Sequence, residues 1–178
     1  MPLEYGFPPV AAADARILIL GSMPGRASLD AVRYYAHPRN VFWRIMGDLL
    51  GAGPALPYEQ RLHKLTAAGI ALWDVIAACE RYGSLDADIV AGSVQANDFV
   101  AFFATHPGIE RIYFNGTAAE AAFLRHVLPT LGECRPQRHR LPSTSPAHAA
   151  RGYAEKLSAW SVLVAPDNAA SAAYNRRL

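Results

Sequence analysis

Ile17-Leu-Ile-Leu20 is an unbroken apolar run that stops at once in Gly21-Ser-Met-Pro-Gly25. A short aliphatic run without polar alternation reads as a strand buried on both faces, and the glycine and proline cluster behind it reads as a tight turn at its carboxyl end. Nine residues further on, Tyr34-Tyr-Ala-His-Pro-Arg-Asn-Val-Phe-Trp43 gathers rings, an amide and a guanidinium around a proline. No regular helix is expected between turn and cluster, whose chemistry suits a pocket better than a core.

The remaining segments repeat one rhythm. Residues 1–14, with Pro2, Gly6, Pro8 and Pro9, read as an irregular arm. Phe42, Ile45, Met46, Leu49 and Leu50 fall at helical spacing and are stopped by Gly51. A second helix is expected over 58–68, strand two over 70–76, and a polar loop from Cys79 to Asp88. Asn97 is the expected cap of a helix carrying Phe99, Phe102 and Phe103. Strand three covers 109–114, a helix 117–128, strand four 137–141, and a last helix 153–164.

Alternating strands and helices imply βα units with right-handed crossovers. The expected fold is therefore one α/β domain over residues 1–165, with three layers, α/β/α, around a mainly parallel four-stranded sheet; residues 166–178 form a polar tail. In such sheets ligands bind beyond the carboxyl ends of the strands. Each chemically rich loop follows a strand: 21–40, 80–88, Asn115-Gly116 and 143–148. These four should meet at one crevice.

Composition narrows the function. At 178 residues, 52% hydrophobic and 18% charged, the chain supports one substantial core. A formal net charge of +2 excludes a protein that coats DNA nonspecifically, so any basic footprint must be local. The two cysteines, Cys79 and Cys134, lack paired metal-site spacing and read as reduced thiols. No metal or cofactor is expected. Without a leader or an apolar membrane span, the chain reads as a soluble cytoplasmic protein.

The loops together resemble the uracil-DNA glycosylase superfamily over nearly the whole chain. Gly21-Ser-Met-Pro-Gly25 is similar to its first motif, Gly-x-Asn-Pro-Gly in the mismatch-specific and single-strand-selective branches. Tyr35-Ala-His-Pro-Arg-Asn40 with Phe42-Trp43 resembles the mismatch-specific branch's Phe-Ala-His-Pro-Ala-Asn-x-Phe-Trp. Leu141-Pro-Ser-Thr-Ser-Pro-Ala-His148 resembles the second motif, a Pro-Ser loop that enters DNA. Two residues depart from the pattern. Met23 stands where those branches place a water-activating Asn, and Leu141 where several have His; neither side chain supplies a strong hydrogen bond. The combination is most similar to the hypoxanthine-DNA glycosylase branch, and the cysteine count sets aside the iron-sulfur branches.

The resemblance implies a monofunctional glycosylase that flips a deaminated base, hypoxanthine and in second place uracil, out of DNA as a monomer and leaves an abasic site. It makes Asn40 the catalytic residue and Tyr35 the ring that stacks on the base. Gly21, Ser22, Met23, through its backbone N–H, and Asn115 complete the base pocket. Pro24, Gly25, Arg39, Ser143, Thr144, Ser145, Pro146, Ala147 and His148 face the DNA.

Plainer roles stand beside these. Asn40 would also cap the helix after it, Asn115-Gly116 is a turn signal, and one of Tyr34 and Tyr35 is an ordinary half-buried ring. Asp74, Glu80, Asp86 and Asp88 read as solvated or capping carboxylates, with one of them assisting water as the second reading. A uracil- or mismatch-specific glycosylase, a noncatalytic damaged-DNA binding module and a small-molecule nucleotide enzyme remain as alternatives.

Overall fold

The computed structural model describes residues 3–133 and 136–165. Four strands, β2 (Ile17–Gly21), β3 (Ile70–Asp74), β6 (Arg111–Asn115) and β7 (Gln137–Leu141), form one parallel sheet in the order β3-β2-β6-β7. Every residue of β2 and β3 is buried, so both strands can be apolar on both faces.

The two-residue period of a strand sorts these side chains into two cores. Leu18, Leu20, Trp73, Ile112 and Phe114 pack under α4 (Phe99–Thr105) and α5 (Thr117–His126). Ile17, Ile19, Leu72, Tyr113 and Leu141 pack under α2 (Phe42–Leu50), α3 (Tyr58–Ala67) and α6 (Tyr153–Trp160). The expected three-layer α/β/α domain is what the chain forms. Among the described residues no helix is long and apolar enough to cross a membrane, and no group of three or more His, Cys, Asp or Glu could hold a metal ion.

Several boundaries differ from the sequence reading. The run from Ile70 breaks at Val75; Ile76–Cys79 leaves the main sheet as β4, antiparallel to β1 (Glu4–Tyr5) on one side and β5 (Gln95–Ala96) on the other. The amino-terminal arm is thus partly a strand, and Val10 also bridges Leu72. Arg81, 2% exposed, explains why these pieces stay together: its guanidinium binds the Glu4 carboxylate and the Pro24 carbonyl.

A six-residue helix, α1 (Arg26–Ala31), follows the Gly25 turn where none was expected; with Ser28 as its buried residue, it carries no apolar stripe to read. The cap of α4 is Asp98, not Asn97, whose amide instead holds the Asp74 carbonyl. The last two helices end earlier than read, each followed by a tighter 3-10 turn. Cys79 is a buried free thiol; Cys134 and the tail 166–178 lie outside the described residues.

Candidate active site

All four strands of the main sheet end in one row. Gly21 pairs with Asp74, Leu20 with Phe114, and Asn115 with Leu141, so the loops beyond Gly21, Asp74, Asn115 and Leu141 leave the sheet side by side. The loops expected to meet therefore start from neighbouring strand ends.

Gly21 is glycine for a local reason. A Cβ there would collide with Asp74 Oδ1 and lie 3.1 Å from the Tyr35 hydroxyl. The turn behind it is pinned to the start of β4: Val75 N–H donates to the Gly21 carbonyl and Ile76 N–H to that of Ser22. Met23 is buried, its side chain part of the core beneath α4 and α5. Pro24, expected at the DNA face, is buried too, with its carbonyl held by Arg81; it serves the turn. Gly25 is half-buried and caps α1. The Ser22 hydroxyl donates to Asp86 Oδ1 at 2.5 Å, drawing the 3-10 turn Asp86–Asp88 to the rim.

Tyr34 and Tyr35 separate as the sequence allowed. Tyr34 is core: its hydroxyl donates to the Pro8 carbonyl, its N–H to Tyr58 Oη, and its carbonyl accepts the Trp43 indole N–H. Those three bonds hold the chain so that Tyr35 adopts a left-handed φ of 54°, a conformation that costs a non-glycine residue about 1–2 kcal/mol. One face of the Tyr35 ring stacks on Phe42, with centroids 4.1 Å apart and an interplanar angle of 26°. Among the described residues its hydroxyl is buried without a geometrically sound hydrogen bond, and burial together with Asp74 pushes its pKa up against the opposing pull of the Asn115 amide.

Asn40 does serve the helix: its Oδ1 accepts the Phe42 N–H at 3.0 Å, while its own N–H donates to the His37 carbonyl. Among the described residues its Nδ2 group has no partner. Its side chain is therefore oriented by the cap without being used up. His37 Nδ1 accepts the Arg39 N–H, a loop-stabilising bond, and Arg39 itself is exposed.

The loop after β7 is clamped from four sides. Asn115 gives both ends of its amide to Thr144, Nδ2 donating to Oγ1 and Oδ1 accepting the backbone N–H, each at 2.9 Å. Val41 N–H donates to the Thr144 carbonyl, Trp160 Nε1 to that of Pro142, and Lys156 Nζ to that of His148. Gly116, at φ 95°, has no room for a Cβ, which would come within 2.8 Å of Ser143 Cβ. Two expectations change here. Thr144, placed at the DNA, is 1% exposed, and Asn115, placed in the base pocket, is the latch that holds Thr144. Ser143, Ser145 and Pro146 are half-buried; Ala147 and His148 are exposed at the tip. Ser143 and Ser145 hydroxyls accept the Ser145 and Ala147 N–H groups, and their O–H donors face no partner in the loop. Arg140 is paired with Glu120 at 3.0 Å, while Arg151 is exposed.

Asp74 was read as solvated or capping, and it is neither. It is 3% exposed, among the described residues its Oδ2 has no hydrogen-bond partner, and burial reinforced by Asp86 pushes its pKa up to about 7. The available signal was an acidic residue within an otherwise apolar buried run, Ile70-Ala-Leu-Trp-Asp-Val-Ile76.

Known proteins share this architecture. The Uracil DNA glycosylase superfamily matches residues 8–165. A protein of Methanosarcina barkeri named hypoxanthine DNA glycosylase is 39% identical over 114 residues, 64% of this chain and 71% of that one. A protein of the same name from Methanosarcina acetivorans is 39% identical over 118 residues, 66% and 73% of the two chains. The solution NMR structure of a Methanosarcina acetivorans protein, described as a candidate uracil DNA glycosylase, superposes with a TM-score of 0.73 at 31% identity, covering 92% of this chain and all of that one. With the aligned strand ends, the Asn40 loop and the clamped Pro-Ser loop all inside the matched span, the chain belongs to the uracil DNA glycosylase superfamily.

Proposed function

We propose that the protein is a monofunctional DNA glycosylase that removes deaminated bases, hypoxanthine first and uracil second, and works as a monomer. The observation that carries this reading is Asn40: an amide fixed in direction by the Phe42 N–H, two residues from the Tyr35–Phe42 stack, on a backbone joined through Val41 to the Thr144 loop. The names of the Methanosarcina relatives agree with it.

A base inside a duplex must be turned out before its glycosidic bond is reachable, at a cost of a few kcal/mol. The clamped loop is suited to supplying a wedge. Ala147 and His148 stand exposed at its tip, and the Ser143 and Ser145 O–H groups are free to donate to phosphate oxygens. Arg39, exposed two residues before the Val41 that bonds the loop, adds a positive charge. Tyr35, half-buried and stacked on Phe42, is the ring for the flipped base to pack on, and stacking there would recover about 1–3 kcal/mol.

Bond cleavage sends the C1′–N electron pair into the base and leaves an oxocarbenium-like sugar that water captures, its proton passing through solvent to the departing base anion. Asn40 cannot take that proton. Its Oδ1 keeps a lone pair beyond the Phe42 N–H bond, enough to accept from a water molecule and aim the water's oxygen at C1′. Met23 and Leu141 are packed in the two cores, so neither side chain competes for this role.

The test is a strand-cleavage assay on oligonucleotides carrying one deoxyinosine or one deoxyuridine, with alkali to break abasic sites. Breaks at deoxyinosine are expected with the parent protein. With Asn40→Ala, excision should be lost while affinity for the same duplex changes only a few fold. Excision undiminished in Asn40→Ala would remove Asn40 from the mechanism. Failure of the folded parent protein on both substrates would leave a noncatalytic damaged-DNA binding module.

A further inference from the structure

We infer that the outer edge of β7 is a docking site for an acidic, extended peptide, which joins the main sheet as an added strand. This face lies outside the strand-end site, and its role does not depend on the glycosylase reading. β7 ends the sheet order β3-β2-β6-β7, so among the described residues no strand pairs with its outer side. Gln137 N–H donates to the Glu110 carbonyl and Gly116 N–H to that of Leu141. Bonding residues alternate along a parallel pair. Gln137, His139 and Leu141 therefore bond inward, and the N–H and C=O groups of Arg138 and Arg140 point out.

Those outward groups open into a groove of about 1250 Å³ between α5 and α6. Its α6 wall consists of small side chains, Ala154, Ser158 and Ala159, with Val162 beyond them. Small residues there leave room for another backbone, which lies about 4.8 Å from its neighbour in a sheet. The five residues of β7 give an added strand a track of roughly 17 Å.

Charge and hydrogen bonding select the occupant. Side chains alternate across a strand: Arg140 turns toward α5, where it meets Glu120, and Arg138 shares that side, while Leu141 packs beneath α6. Arg138 is exposed, and among the described residues no carboxylate pairs with it. Arg151, also exposed, lines the same groove. Both carboxylates of the groove are already engaged, Glu120 by Arg140 and Glu155 by the Gly152 N–H. A second copy of this chain would set its own Arg138 and Arg140 against these, and like charges across strands repel. A nucleic-acid backbone offers acceptors only, so its phosphates would lie against the outward carbonyls. A peptide backbone matches the alternating N–H and C=O groups. Its carboxylates would face Arg138, and its apolar side chains would face Ala154 and Val162.

The probe is an acetylated, dye-labelled peptide of about seven residues alternating Glu and Val, titrated with the full chain by fluorescence anisotropy. Two further probes carry N-methyl groups, one on every Glu and the other on every Val. The unmodified peptide should bind, less tightly as salt rises. One methylated probe should lose roughly 10-fold or more, because its blocked N–H groups face β7, and the other should stay within about 2-fold. Arg138→Pro removes an outward N–H that an edge strand does not need; it should weaken the peptide roughly 10-fold, with melting temperature and deoxyinosine excision at parent values. Arg138→Glu should weaken it about 5-fold and favour a peptide with Lys in place of Glu. Absence of binding, or equal behaviour of the two methylated probes, would overturn the inference. Weaker binding of undamaged duplex by Arg138→Pro, with the peptide silent, would assign the groove to nucleic acid instead. A parent dimer in sedimentation that Arg138→Pro dissolves would assign the edge to a second copy, and the inference would fall in that case too.

Discussion

Replacing Asp74 by Asn should stabilise the protein at alkaline pH and leave it little changed in acid. Burial, with Asp86 nearby, raises the carboxyl pKa from 3.8 to about 7 in the folded chain. The native state thus holds the Asp74 proton over a window in which the unfolded chain releases it. Stability contributed by the protonated group is complete below 3.8 and is lost as pH rises through about 7. Asn has the same shape and does not titrate, so the two proteins diverge across that window. Each pH unit below 7 is worth 1.36 kcal/mol, and the gap between variant and parent should widen by about 3 kcal/mol from about pH 5 to about pH 8. The group is buried, so solvent screening takes little from this figure. Urea unfolding at the two pH values gives the difference directly. Calorimetry should show the variant's melting temperature gaining on the parent's by roughly 6–12 °C. A difference that stays constant within about 0.5 kcal/mol, below the effect of a single lost hydrogen bond, would mean that native Asp74 is hydrated or paired, and the isolation of Oδ2 would be wrong.

Two other perturbations address the framework. Asn115→Leu removes both bonds to Thr144 and strands a buried N–H and hydroxyl; it should cost about 2–4 kcal/mol by chemical denaturation, make the loop 142–148 easier to proteolyse, and weaken binding to abasic duplex. Gly21→Ala drives a methyl group against Asp74 Oδ1 and should cost about 1–3 kcal/mol, of which Asp74→Ala in the same chain recovers part; strictly additive losses in the double variant would show that the two residues do not share that space.

The main sheet was legible because its evidence is local. Ile17–Gly21 and Ile70–Asp74 are apolar beyond what a half-exposed strand needs, and Gly51 and Gly69 end helices at left-handed φ values of 69° and 74°, as terminal glycines commonly do. What escaped was set by distant partners. Glu4–Tyr5 is a strand because Cys79 and Ala78 lie beside it, and two residues carry no period of their own. Asn97 and Asp98 are equal caps on paper; Asp98 wins because the Asp74 carbonyl engages Asn97.

The same division runs through the site. The motifs put Asn40, Tyr35 and the 143–148 loop on loops that leave the same end of the sheet, since strand order brings strand-end loops together whatever their side chains do. They could not tell which polar groups there remain unspent. Asn115 and Thr144 satisfy each other, Pro24 lies under Arg81, and Asp74 keeps an oxygen with no donor.

Residue order alone determined the layers, the parallel sheet and the loops that meet at its end, because apolar periodicity and turn chemistry are properties of neighbours along the chain. Tertiary structure decided which amides became latches and which carboxylate was left bare. Burial and hydrogen-bond satisfaction belong to pairs such as Gly21 and Asp74, more than 50 residues apart in sequence and adjacent only across the folded sheet.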